Sequence, residues 1–350
     1  MDNSNNTPKI LDGKLIAADI KKEIAKKVDA LLLAGKDAPH LAAIIVGEDG
    51  ASKTYVESIE RNAKEVGFIS SIYQFPSKLS EKELLDIIDF INKDEEIDGY
   101  IIQLPLPDHI SVDKVIAHVD PRKDIDCFHP ENMGNLVLGK DAFLPATPAA
   151  CMEILKRSHI EVAGKNCVVV GRSNIVGKPL ALLLAQNTPE ANGTVTITHS
   201  KTKNLKEVCK QADILLVAIG KPEMITAEYV KKGATVIDVG IHRMEDKSTE
   251  KGYKICGDVK FDEVAPLCDA ITPVPGGVGA VTMSCLLLNT LKAYENKNGN
   301  EYPEVIDIHK HLHTHDHDHN HDHNHDHKHD HKHDHNHDPD DDDCGCGCND

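Results

Sequence analysis

The stretch "CVVVGRSNIVGKPLALLL" places Gly171 at the end of an apolar, strand-like run, with Gly177 and Pro179 in the opening of a helix. A glycine there lets the backbone turn tightly and approach a phosphate, and a helix N-terminus attracts negative charge. Ser173 stands where a second glycine is common, and Gly177 comes one residue late for GxGxxG. Any strand-turn-helix junction can use glycine structurally. The next strand end therefore matters. It reads "THSKTKN" (His199, Ser200, Lys201, Thr202, Lys203), with no acid to hold a ribose 2′-hydroxyl. With Arg172 in the turn, these cations and hydroxyls suit a 2′-phosphate and favour NADP over NAD. A plain solvated loop also accounts for Lys201 and Lys203.

A second chemical signature is the tail. From His309 to His337 every second residue is histidine, fifteen in all, and "PDDDDCGCGCND" follows. Imidazoles such as those of His315, His317, His319, His321 and His323 suit Zn²⁺, Ni²⁺ or Cu²⁺. The thiols of Cys344, Cys346 and Cys348 suit Zn²⁺ or Cu⁺. Such a segment has almost nothing to bury and is expected to be disordered. Storage or delivery of a metal fits this composition, and so does incidental binding by a low-complexity extension.

A third stretch, "TYVESIERNAKEVGF", sets Tyr55, Val56, Ile59, Ala63 and Val66 on one face of a helix ending at Gly67. Tyr55 and Ile59, four apart, lie one above the other. Ile59 is either simple core or fills a place where chemistry would want a charge.

The elements that must position these groups alternate in type. A long amphipathic helix, "LIAADIKKEIAKKVDALLLAG", is stopped by Gly35 and precedes the buried strand "LAAIIVG". After the Tyr55 helix come the strand "SSIYQF", the helix "SEKELLDIIDFINKD" with a Ser80 N-cap, and the strand "DGYIIQLPLP". A helix over "TPAACMEILKRSHI" leads out of this unit. The second half repeats the class with "NCVVVG", "GTVTITH", "ADILLVAIG" and "ATVIDVG" as strands, and a helix over "MSCLLLNTLKAYEN" closes it. Helices between short apolar strands imply parallel pairing. The predicted fold is two α/β domains, residues 1–149 and a Rossmann-type domain at 150–280, then a C-terminal helix at 281–297 and a tail from 298 to 350.

Half of the net charge of −18 lies in the tail, where twelve Asp face three Lys from His309 onward. The body is mildly acidic, with no basic stripe for nucleic acid. No apolar run reaches the roughly 18 residues of a membrane span, and the N-terminus lacks a signal-peptide pattern. Seven body cysteines show no CxxC spacing and are expected as buried free thiols in a reducing cytosol.

In chain order, "QLPLP", "KDIDCFHP", "PATP", "VVVGRSNIVGKP" and "ITPVPGGVG" resemble the methylenetetrahydrofolate dehydrogenase/cyclohydrolase (FolD) family over roughly residues 9 to 297. The resemblance implies hydride transfer from 5,10-methylenetetrahydrofolate to NADP, then addition of water to the methenyl cation to give 10-formyltetrahydrofolate. It implies folate bound against the N-terminal domain, a homodimer joined through the nucleotide domain, and no catalytic metal. By motif, Tyr55 flanks the pterin, Gln103 with Leu104 lies beside the reacting carbon, and Asp126 holds the pterin. Arg172 and Ser200 lie near the 2′-phosphate, with Gly171, Ser173, Ile175, Gly177, Pro179, His199, Ile241 and Thr282 completing the cofactor contacts. Pro275, Gly276, Gly277 and Gly279 match the loop that closes over the folate. Singly, each has a plain reading: a strand-end amide, a turn aspartate, a backbone glycine.

Several positions depart from the family pattern. The family's hydrolytic lysine, four residues after the tyrosine, is Ile59 here, and isoleucine has no exchangeable proton. Arg61 and Lys64 point elsewhere on the helix, and only Lys53 lies near its start. Cys127 stands for a usual glycine, as does Ala150, and Ala280 for a proline. The expectation is a dehydrogenase with weak or absent cyclohydrolase. The alternative is a degraded member acting as a metal-binding protein through its tail.

Overall fold

The structure, a computed structural model, describes residues 7–47, 50–246, 248–249 and 252–299, and of residues 50–55 the backbone alone. Its N-terminal half runs β1 (Lys9–Ile10), α1 (Gly13–Leu33), β2 (His40–Val46), α2 (Gly50–Glu65), β3 (Ile69–Phe75), α3 (Glu81–Lys93), β4 (Gly99–Ile102), α4 (Val112–His118), α5 (Pro130–Val137) and α6 (Ala146–Arg157). The second half adds β5 (Asn166–Val170), α7 (Gly177–Ala185), β6 (Thr194–Thr198), α8 (Leu205–Cys209), β7 (Ile214–Val217), β8 (Thr235–Asp238), β9 (His242–Glu245), β10 (Tyr253–Cys256), α9 (Phe261–Val264), β11 (Ala270–Ile271) and α10 (Val278–Asn298).

Local signals place these elements where their chemistry predicts. Asp12 caps α1 by accepting from the Lys14 and Leu15 N–H groups, and Ile16, Ile20, Ile24, Val28 and Leu31 form its buried stripe. Ser80 and Glu83 close a reciprocal capping box on α3. The strands of the first half form a parallel sheet in the order β3-β2-β4. The apolar run of β2 is its centre, covered on both faces.

The second sheet has the order β6-β5-β7-β8-β11-β1, all parallel. Its order reverses between β5 and β7, which is where open α/β sheets bind ligands. Two features escape sequence patterning. The edge strand β1 comes from the extreme N-terminal end of the described chain, and β9 and β10 form an antiparallel hairpin. A two-residue strand carries no periodicity to read.

The second sheet has a separate core on one face only. Val168, Val170, Leu215, Val217 and Val236 pack there with Cys209 and Val264. On the other face Cys167, Val169 and Leu216 join one continuous cluster with α1, α6, α10 and the first sheet. Helix α10 begins at Val278, three residues before the predicted start, because Gly277 ends the preceding loop. All seven body cysteines are buried and free. Among the described residues no helix is long and apolar enough to cross a membrane.

Candidate active site

Gln103 follows the last residue of β4. Its backbone N–H extends the ladder to the Ile44 carbonyl at 2.9 Å, and its side-chain Nε2 donates to the Leu104 carbonyl at 2.7 Å. Its Oε1 is uncommitted among the described residues. Asp126 is brought alongside by a one-rung parallel bridge between Tyr100 and Asp124. That approach needs Gly99, since a Cβ there would run into the Ile125 side chain. Asn289 of α10 buttresses the same segment, its Nδ2 donating to the Ile125 and Leu144 carbonyls, each at 2.7 Å.

The organiser of this loop is Asp124, a residue sequence reasoning passed over. Its buried carboxylate accepts from the Phe128 and His129 N–H groups and from Asn132 Nδ2, at 3.2, 2.8 and 2.9 Å. Asp126, half-buried, has no side-chain hydrogen bond among the described residues. Burial, then the Asp124 charge, push its carboxyl up to about 8. Leu104, Phe128 and Asp126 line one narrow slot of about 20 Å³. A much larger groove, about 1360 Å³ and lined by His40, Asp98, Lys123, Tyr294 and Lys297, holds none of the predicted site residues.

A carboxyl raised in this way stabilises the fold while it keeps its proton. That contribution is complete below the ordinary carboxyl range and is lost as pH rises through about 8. Asp126→Asn is therefore expected to melt above the unmodified protein at about pH 9, with the gap closing toward about pH 4. Thermal melts across that range check it.

At position 59 the side chain is packed on all sides. Ile59 is 0 % exposed and belongs to the cluster that contains Ile101 and Ile125. Arg61 and Lys64 are exposed, as their helical angles predict. The Tyr55 backbone lies in α2, while its side chain and that of Lys53 are outside the described residues.

Cys127 has φ +59°, the left-handed region that favours glycine. Its side chain is fully buried and Sγ donates to the Phe143 carbonyl at 3.0 Å. Strain and packing therefore oppose each other. Cys127→Ala keeps the strain and loses the thiol, and is expected to cost about 1–2 kcal/mol. Cys127→Gly also relieves the strain and should be the milder change. Urea melts rank the two, and alanine milder than glycine would refute this balance.

In the nucleotide turn, Gly171 has φ +138°, and a Cβ there would meet the Ala218 carbonyl at the end of β7. Gly177 is pressed in turn against the Gly171 carbonyl. The two glycines thus pack the turn against its neighbours. Ser173 Oγ accepts from the Val176 and Gly177 N–H groups at 3.2 and 3.3 Å, which ties the turn to the first residue of α7. Pro179 is buried in the first turn, while Arg172, Ser173 and Ile175 are exposed. Val170 pairs with Thr198, which sets the Gly171 turn beside His199 and Ser200. The His199–Thr202 turn is closed by the Thr202 N–H on the His199 carbonyl at 2.8 Å.

The loop before α10 is seated on the start of α1. The Gly13 N–H donates to the Gly276 carbonyl at 2.8 Å, and Gly276 has φ +103°. A Cβ on Gly277 would meet the Pro273 carbonyl at 2.5 Å, whereas Gly279 has open space around it. Pro275 and Gly279 are exposed, and Thr282, one turn into α10, donates Oγ1 to the Val278 carbonyl. Ile241 is 69 % exposed just beyond β8. The proposed metal ligands of the tail, His315 to Cys348, lie outside the described residues. Among the described residues no His, Cys, Asp or Glu group could hold a metal ion.

A strand-order reversal with a glycine turn, beside a second sheet carrying an uncommitted amide oxygen and a carboxyl raised by burial, defines a dinucleotide-binding α/β enzyme. Two family profiles match the chain. One is the tetrahydrofolate dehydrogenase/cyclohydrolase catalytic domain over residues 11–126, and the other is the NAD(P)-binding domain of the same name over 145–298. "Bifunctional protein FolD" of Cytophaga hutchinsonii is 52 % identical over 284 residues, covering 81 % of this chain and 98 % of that protein. A crystal structure of the bifunctional enzyme FolD from Campylobacter jejuni is 42 % identical with a TM-score of 0.77, covering 83 % of this chain and 99 % of that one. The Trypanosoma brucei methylenetetrahydrofolate dehydrogenase-cyclohydrolase, complexed with NADP cofactor and inhibitor, is 37 % identical with a TM-score of 0.77, covering 83 % and 98 %. The chain belongs to the tetrahydrofolate dehydrogenase/cyclohydrolase family.

Proposed function

We propose that the protein oxidises 5,10-methylenetetrahydrofolate with NADP to the 5,10-methenyl form and hydrolyses that product slowly or not at all. The observation that carries the second clause is Ile59, fully buried one helical turn after Tyr55. Water addition needs a positioned group that exchanges a proton near neutral pH, and an isoleucine supplies none. Oxidation rests on orienting two ligands, with the cofactor carrying the difficult chemistry.

The chain fits an NADP cofactor at the β5–β7 reversal. The Gly171 turn and the start of α7 would hold the phosphates, and Arg172 and Ser200 would hold the 2′-phosphate. NADP, when bound, supplies the hydride acceptor. Asp126 would hold the pterin, and Gln103, with Oε1 uncommitted among the described residues, would lie beside the reacting carbon. Edge strand β6, which has one partner strand and an exposed Ile197, supports a homodimer joined through this domain. Formation of NADPH from methylenetetrahydrofolate, with NAD compared at equal concentration, tests the reading. Its absence, or a preference for NAD, would contradict it.

A second reading rests on the alternating histidines. The tail binds Zn²⁺, Ni²⁺ or Cu²⁺, and the body is retained as its carrier. Equilibrium dialysis against Ni²⁺ is expected to load several ions per full-length chain and none after truncation at Gly299. If truncation leaves NADPH formation unchanged, the tail is separate from folate turnover.

A further inference from the structure

At the C-terminal ends of β7 and β8 two aspartates, both buried, form a network that the reaction scheme does not use. Asp238, the last residue of β8, donates its N–H to Thr272 Oγ1 at 2.8 Å. Its carboxylate accepts from the Gly240, Asp258 and Val259 N–H groups at 2.9, 3.0 and 2.9 Å. Asp258, 0 % exposed, is thereby fixed by its backbone. Its own carboxylate accepts three successive N–H groups, those of Ile219, Gly220 and Lys221, at 2.8, 3.1 and 2.8 Å. It takes a fourth from His242 Nε2 at 2.7 Å. A carboxylate only accepts here, so Nε2 carries the imidazole proton.

Three consecutive N–H groups aimed at one anion form a nest, and this nest is filled from within the chain. Glycines keep the two carboxylates in place. A Cβ on Gly240 would strike Asp258, and a Cβ on Gly257 would strike Asp238. The consequence is geometric. Residues 219–221 form the lip of the crevice that follows β7, next to the close approach of Gly171 to Ala218. Residues 240–242 form the lip that follows β8. One carboxylate ties both lips. Between its two tethers, Gly240 on Asp238 and His242 on Asp258, stands Ile241 with its side chain largely in solvent. An exposed isoleucine held at both neighbours is a fixed apolar face on which a flat ring can pack.

We infer that Asp258 and His242 are positioning residues that set the spacing of the two crevice lips and hold Ile241 against the dinucleotide. This rests on the reading of the crevice as an NADP site. The bond is charge-assisted and part-buried, and losing one such bond is worth about a factor of ten in binding. Ser173, Arg172 and the folate side are untouched by it.

Calorimetric binding of NADP to the full-length protein tests the pair without requiring turnover. His242→Ala is expected to raise Kd and KM for NADP about tenfold, with kcat at saturating NADP and KM for methylenetetrahydrofolate within about threefold of the unmodified protein. His242→Gln, whose amide can donate to Asp258, should recover most of the affinity. Asp258→Asn faces N–H donors with an NH₂ group and should lose more than His242→Ala. An unchanged Kd in His242→Ala overturns the inference, as does a glutamine variant as weak as the alanine one, which would indicate bulk packing. Unmodified protein that binds no NADP overturns both this inference and the cofactor reading. Protein that binds NADP but fails to reduce it contradicts the proposed activity alone, and the variant affinities still decide the role of the pair.

Discussion

Ile59→Lys is expected to raise hydrolysis of 5,10-methenyltetrahydrofolate by about 10²–10⁴-fold, the usual contribution of a positioned acid-base group. The substitution places an amine one turn from Tyr55, where the family pattern has its lysine. The same change should destabilise the protein. Ile59 is 0 % exposed, so the new side chain loses apolar packing and carries an ammonium into a low-dielectric site. A loss of about 2–4 kcal/mol is expected, read as a lower urea midpoint. Burial also lowers the amine's pKa, which brings proton exchange toward neutral pH. Ile59→Met separates the two effects, since it fills similar volume without a proton and should gain no hydrolysis. A folded lysine variant with no gain would show that the hydrolytic deficit, if present, lies elsewhere in the cleft.

Gly171→Ala is expected to abolish measurable NADP binding and cost about 3 kcal/mol of stability. Two independent objections meet at that position. Its φ of +138° is one that side-chain-bearing residues rarely adopt, and the added Cβ would run into the Ala218 carbonyl. Backbone cannot swing away as a flexible side chain can, so β5 and β7 must part at the point where the sheet order reverses. Folate binding to the first sheet should survive. Quenching of NADPH fluorescence and a thermal melt check the two halves separately. Gly139→Ala is the comparison. Gly139 also has positive φ but nothing within 4 Å of a Cβ, so it should show strain alone and normal NADP affinity.

The parts of this molecule that were legible in its sequence are those set by nearby residues. The apolar runs of β2, β5 and β7, the Ser80 cap and the stripe of α1 each carry their period or their cap within a few positions. The glycine turn and the missing acid after β6 were equally local. What stayed hidden depends on chain closure. β1 joins the second sheet from the opposite end of the chain, across some 260 positions, as a two-residue edge. Asp124 and Asp258 look like ordinary turn aspartates in sequence. Their weight comes from N–H groups that other segments aim at them. The strain at Cys127 was visible only as a departure from a family glycine, and its φ gives the physical reason that glycine suits the site. The surroundings of Ile59 needed the fold as well, because a helical face can meet either a core or a cleft.

The most direct test of the central claim is the ratio of two rates on one metal-free sample of the unmodified protein. One is NADPH formation from methylenetetrahydrofolate, and the other is loss of methenyltetrahydrofolate above its spontaneous hydrolysis. Robust NADPH formation with hydrolysis at or near the uncatalysed rate is the predicted result. Enzymatic hydrolysis keeping pace with NADPH formation would contradict it, and would mean that a group other than residue 59 moves the proton.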